Sequence, residues 1–147
     1  MATISALDVA QYFLDAIDAE VGDNLSNLKL QKLVYYAQGF HLAMHGTPLF
    51  HDPIEAWAHG PAVPTLYRRF EGHGSGALPR ADRGDYSDFD GPTRDLLDEV
   101  LQVYGQFSAW KLRDMTHEEP PWRLTPLNGV IAHELMASDF RTLLIHG

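Results

Sequence analysis

The chain has no cysteine, which removes a disulfide frame, a thiolate metal site and a thiol nucleophile together. That absence fits a reducing compartment, and the expected location is the cytoplasm. No apolar run approaches the ~20 residues that cross a bilayer. The opening stretch MATISALDVAQYF lacks the basic region of a signal peptide, so a soluble protein without a membrane partner is expected. Basic residues are scarce: 11 Lys and Arg stand against 20 Asp and Glu, a formal net charge of −9. A field of that sign repels phosphate backbones, disfavours nucleic acid as a ligand and suits a partner with a basic or mixed surface. Internal repeats, heptads and long low-complexity tracts are also missing.

Aromatic and apolar residues, in contrast, are plentiful. Three Trp, six Tyr and seven Phe in 147 residues are enough to fill one core, so a single domain over 1–147 is expected. The densest stretch is LSNLKLQKLVYYAQG, Leu25 to Gly39. Leu30, Leu33, Val34, Ala37, Phe40 and Met44 keep helical spacing, while Leu28, Tyr35 and Leu42 widen the stripe around the cylinder. This predicts a buried central helix from after Ser26 to about His45-Gly46. On its remaining circumference Lys29, Lys32 and Tyr36 share one strip, and two of the chain's three lysines sit there.

The other elements follow from caps and breakers. Ser5 and Asp8 predict the start of a first helix that runs past Ile17 and Val21 to Gly22. Pro53 to Ala58 reads as a short strand, Gly60-Pro61 as a turn ending it, and Pro64 to Phe70 as a helix. Residues 72–91 carry few apolar side chains and read as a mobile surface loop. Pro92 opens a helix facing inward through Leu97, Val100, Leu101 and Tyr104, and Ser108 caps a shorter one that Pro120-Pro121 stops. A turn at Pro126 to Gly129, a short strand at Val130-Ile131 pairing near Trp57, and a helix from His133 to Leu144 complete the chain. The fold class is therefore mainly α: a compact bundle of five to six helices around a buried central helix, with a minor pair of short β-strands.

Catalytic signals are weak. His41 and His45 have a metal-chelating spacing, with His51 and Asp52 nearby, which would suit a His-dependent metal-binding hydrolase. No glutamate lies between the two, and histidines at a helix carboxyl end also serve its dipole. His133-Glu134 lacks the second histidine of a zinc signature, Ala137 standing in its place. Ser75 in GHGSG has no flanking strand and helix to make a nucleophile elbow. Asp82, Asp85, Asp88 and Asp90 are spaced too irregularly for a calcium loop, and no Gly-rich loop joins a strand to a helix to cradle phosphate. No cofactor, metal or catalytic residue is assigned, and the chain is read as a non-enzyme.

Recognition is the better use of what is there. Trp57, Trp122 and Tyr67 suit either a core or partly exposed recognition rings. Lys29 and Lys32 either sit in water, pair with Glu55, Glu118 or Glu119, or meet another molecule; an exposed ion pair would add little stability, so the strip matters more for recognition than for folding.

The pattern Asn27-x-Lys29-Leu30-Gln31-Lys32-Leu33-x-Tyr35-Tyr36-Ala37-Gln38-Gly39, then Pro48-Leu49-Phe50, then Ile54-Glu55-Ala56-Trp57-x-x-Gly60-Pro61-x-Val63-Pro64-x-Leu66-Tyr67 resembles the Panacea domain of SocA-like antitoxins. Ser108 and Leu112, Thr116-His117, Pro121-Trp122 and a final helix ending near Phe140 continue the resemblance over nearly the whole chain. Ala132 departs from it, standing where a capping Ser or Asp is expected. No spare segment at either end suggests a helix-turn-helix, so autoregulation is not implied. The resemblance implies a bacterial or phage-borne antitoxin, of the kind found in prophage and phage-defence loci, that binds and neutralises a toxin encoded by an adjacent gene. At least one member acts as an adaptor, so delivery of the toxin to a cytoplasmic protease is the alternative. The candidate contact residues are Lys29, Lys32, Tyr36, Trp57, His59, Gly60, Pro61 and Tyr67, which either form or brace the partner surface, with the 72–91 loop as the other candidate for choosing the toxin.

Overall fold

The computed structural model describes residues 4–17, 25–74, 76–81 and 86–146. Helix α1 (Ala6–Ala16) starts on a capping box: Ser5 Oγ accepts from the Asp8 amide at 3.1 Å and the Asp8 carboxylate accepts from the Ser5 amide at 2.9 Å. Its described part ends at Ala16, with Ile17 extended; Val21 and Gly22, the expected stop, lie outside the described residues.

Helix α2 (Asn27–His45) is capped by Ser26 Oγ on the Lys29 amide and closed by Gly46 in the left-handed region at φ 73°. It is central as expected, because residues 30–39 are all buried. Its closest neighbour is helix α7 (His133–His146), and the approach is set by Gly39: a Cβ there would lie 2.4 Å from Phe140 Cζ. Phe140 in turn packs edge-on against Tyr35 and Phe40.

Strand β1 (Glu55–Trp57) lies within the expected strand, but Gly60-Pro61 is not a bare turn. It opens a return strand, β2 (Gly60–Ala62), antiparallel to β1 with Trp57 opposite Gly60 and Ala58-His59 at the tip. Gly60 makes the turn possible at φ 109°, a conformation closed to most side chains. The other edge of β1 takes the 128–131 segment, as the expected pairing near Trp57 requires: the Ala56 amide donates to Gly129 O at 2.9 Å and the Ile131 amide to Ile54 O at 2.8 Å. Pro64 then starts helix α3 (Pro64–Phe70), with the bounds read from the sequence.

The described parts of the 72–91 segment hold contacts that its composition did not suggest. Leu78 and Phe89 are buried, the Leu78 amide donates to Leu25 O at 2.7 Å, and the Tyr86 hydroxyl bonds Gln11 O at 2.9 Å and the Asp15 carboxylate. Leu78, Tyr86 and Phe89 anchor these described parts beside Leu25 and α1, a pattern too sparse for composition to register. Ser75, Asp82 and Asp85 lie outside the described residues.

Helix α4 (Gly91–Tyr104) is capped by the Asp90 carboxylate on the Thr93 amide, and helix α5 (Ala109–His117) by Ser108 Oγ on the Lys111 amide. Pro120-Pro121 stops α5 and also starts a one-turn helix, α6 (Pro120–Arg123), because proline at a first helical turn forfeits no hydrogen bond. Helix α7 begins without a side chain from Ala132, which offers only its carbonyl to the Met136 amide. Seven α-helices and a two-stranded sheet among the described residues make the protein mainly α, one short helix more than expected. None of these helices is long and apolar enough to cross a membrane.

Candidate partner-binding site

Several polar side chains of α2, Asn27, Lys29, Gln31 and Gln38, tie the helix to the backbone of neighbouring segments. Asn27 Nδ2 donates to Tyr67 O at 3.2 Å, while Asn27 Oδ1 accepts from Gln31 Nε2 at 2.9 Å. Gln31 Oε1 accepts from the Val63 amide at 2.8 Å, just ahead of α3. Two turns further on, Gln38 grips the 49–50 turn from both sides, accepting from the Leu49 amide at 2.7 Å and donating to Phe50 O at 2.7 Å. Lys29 Nζ donates to Gly105 O at 2.6 Å, at the end of α4.

The strip of Lys29, Lys32 and Tyr36 is therefore not the surface strip that its spacing suggested. Lys29 is half-buried, Tyr36 has no exposed area and Lys32 is 1% exposed. Lys32 Nζ donates to Pro61 O at 3.2 Å, under β2, in place of the expected carboxylate. Burial, reinforced by the Arg113 charge, lowers the Lys32 pKa to about 7. Gly60 sits against the same side chain, since a Cβ there would lie 2.7 Å from both Lys32 Cε and Thr116 Oγ1.

Glu119 supplies the matching acidic centre. Its carboxylate accepts from Tyr36 at 2.8 Å and Tyr35 at 3.2 Å. Burial pushes its pKa up to about 7 against the pull of those two hydroxyls, with Asp139 adding to the rise. The two phenols are themselves held far above their ordinary range by burial beside this carboxylate. Tyr104 stacks on Tyr36 at 4.0 Å and closes the cluster.

Above this interior the hairpin tip reaches solvent. Ala58 and His59 are exposed, Trp57 and Tyr67 half-buried, and Gly60 and Pro61 buried beneath them. Trp57 packs edge-on against Tyr67 at 5.0 Å, and its Nε1 donates to Glu55 at 2.9 Å. Two further side chains hold the tip from α5 and α6. His117 Nε2 donates to Ala58 O at 3.0 Å, and Trp122 Nε1 donates to Trp57 O at 2.7 Å. Their rings stack at 4.1 Å and 27°. Partial burial and the Arg113 charge lower the His117 pKa, against the opposing pull of its bond to Ala58 O.

One face of α5 extends the belt: Trp110 is 62% exposed with the Arg113 guanidinium 5.4 Å from its ring, and His117 follows on the same stripe. Leu124, Leu127 and Val130 are exposed on the neighbouring segment, Val130 bridging directly to Glu55. Trp57, His59 and Tyr67 thus stand at the surface, while Lys32, Tyr36, Gly60 and Pro61 lie under it. Trp110, Arg113, His117 and Glu119 were not singled out as site residues. The Trp110, Arg113, His117 spacing is the signal that would have exposed the first three.

The candidate metal ligands do not assemble. His41 Nδ1 bonds Thr47 O at 2.7 Å, its ring lies 4.6 Å from that of His45, and no cluster of three or more His, Asp or Glu with metal-binding geometry occurs among the described residues. Asp90 is occupied as the α4 cap.

Residues 30–123 match the family model described as antitoxin SocA-like, Panacea domain. The chain is 34% identical over 131 residues to Antitoxin SocA of Caulobacter vibrioides (strain NA1000 / CB15N), an alignment covering 82% of this chain and 69% of that protein. No solved structure matches it. The matched span includes Lys32, Tyr36, the hairpin, α3, α5 and α6, so both the interior cluster and the surface belt fall inside it.

Proposed function

This chain belongs to the SocA-like antitoxin family with the Panacea domain, and from that premise we propose that it neutralises a protein toxin, encoded by an adjacent gene, by binding it through the face around the β1–β2 tip. The observation that carries this reading is the belt of Trp57, Tyr67, His117 and Trp122, partly exposed yet fixed by hydrogen bonds and ring packing, with His59 exposed at its tip and Trp110 exposed under the Arg113 guanidinium. Aromatic rings held in place before binding lose little conformational freedom on association, which is why such residues dominate interface energetics. An interface of roughly 1,600 Å² centred on them is large enough to close a toxin's active site. The net charge of −9 suits a basic toxin surface and speeds encounter with it. Lys29, Lys32, Tyr36, Gly60 and Pro61 brace this face from beneath, and the reading requires no bond to be made or broken by the antitoxin.

The test is coexpression of the neighbouring gene with His59→Glu, Trp57→Ala and Trp110→Ala variants, each checked for native circular dichroism. Loss of growth rescue in folded variants is expected; rescue equal to wild type by all three would abolish the proposed face. The same assay in a strain without its cytoplasmic proteases separates inhibition from delivery: neutralisation should persist.

A further inference from the structure

On the side of the molecule built by α2, α4 and α7 lies an open apolar groove of 390 Å³. Its α4 wall is a stripe of Leu96, Val100 and Val103, its α2 wall Phe40 and Met44, its α7 wall Leu143 and Leu144. Met44, Val103 and Leu144 are 49%, 41% and 44% exposed, so three large apolar side chains meet water around a single depression. Such convergence on a small protein marks an interaction site more often than chance exposure does.

The lining also says what would sit there. Among the described residues its polar side-chain groups are the Tyr104 hydroxyl and the Glu99 carboxylate, which is too little to orient a polar metabolite. Three helical walls form the kind of trough that takes one more helix by its apolar stripe. Glu99 stands on the rim, Asp95 is exposed one turn before it, and no basic residue lines the groove among the described residues. An occupant is therefore favoured when a Lys or Arg flanks its apolar stripe.

We infer that the α2–α4–α7 groove seats a basic amphipathic helix of the toxin, as a second contact beside the hairpin face. This rests on the proposed toxin-binding function, and the test keeps the two apart. The product of the adjacent gene would be titrated calorimetrically against wild type, Val103→Glu, Glu99→Lys and His59→Glu, with melting curves to show that each is folded. Synthetic peptides covering each basic amphipathic segment of that product would be titrated in parallel. Val103→Glu and Glu99→Lys should each weaken toxin binding at least tenfold. One peptide should bind wild type, lose affinity for Glu99→Lys, and regain it when its own flanking Lys or Arg is changed to Glu. Wild-type affinity in both groove variants with loss in His59→Glu would overturn the groove and leave the hairpin face standing. A wild-type dimer that Val103→Glu turns into a monomer would also overturn it, by making a second copy the occupant. Failure of wild type to bind the toxin at all would end both readings.

Discussion

Two groups of polar and aromatic side chains in this chain do opposite things. Asn27, Gln31, Lys32 and Gln38 of α2 face inward and satisfy backbone that would otherwise be buried unpaired. Trp57, His59, Tyr67 and Trp110 reach solvent at or beside the hairpin tip. The first group resembles a binding motif by composition and behaves as scaffold; the second has a bland sequence context and the better geometry for recognition. Polar residues on a central helix are thus no evidence of a surface, because a buried irregular turn needs them as much as a partner does.

The most severe break in the interior group should come from Gly60→Val. A side chain there meets Lys32 and Thr116 at 2.7 Å and forces a φ of 109° on a β-branched residue. A loss of about 4 kcal/mol in urea denaturation is expected from strain and overpacking together. Stability unchanged by this variant would show that the hairpin does not rest on Lys32.

Next comes the pH dependence of the two buried charges. Glu119 has its pKa raised from 4.5 to about 7, so between these values the native state holds a proton that the unfolded chain has lost. Its contribution is complete below pH 4.5 and disappears as pH rises through 7, a fall of about 3 kcal/mol. Lys32, lowered from 10.5 to about 7, works with the opposite sign: the unfolded chain holds the extra proton above pH 7, so stability climbs towards pH 10.5. Denaturant midpoints should show Glu119→Gln flattening the first limb and Lys32→Met the second. Unaltered profiles in both variants would place these charges in water.

A smaller effect is expected from Gln38→Leu, which strands the Leu49 amide and the Phe50 carbonyl and should cost about 2 kcal/mol with function retained in the folded fraction. Least of all, Leu127→Ser and His59→Glu should change stability by no more than about 0.5 kcal/mol, because both sites are exposed. His59→Glu should nevertheless weaken toxin binding at least tenfold by titration. A large stability loss there, or full affinity, would erase the distinction between the two groups.

How much of this could be read from residue order varies from element to element. The α2 and α3 boundaries and the Ser5, Ser26 and Ser108 caps were legible because capping and proline chemistry act over three or four residues. The β2 return was not, since Gly60-Pro61 fits a plain turn until Lys32 and Thr116 are known to close over it. The inward aim of Lys32 was hidden for a related reason: its partner is a backbone carbonyl 29 positions away, which leaves no trace in side-chain spacing. At the candidate site, Trp57 and Tyr67 could be named but not their exposure. His117 and Trp122 make sense only after α5 and α6 fold back over β1.

The seat of Phe140 over Gly39 has a consequence for synthesis. Translation delivers α7 after every element it covers, so on the ribosome Tyr35 and Phe40 have no lid while α1 to α6 emerge. A nascent antitoxin stays open along its main helix until α7 leaves the exit tunnel. Completion of the core would then lag initiation by the time needed to make α7, however early its message is read.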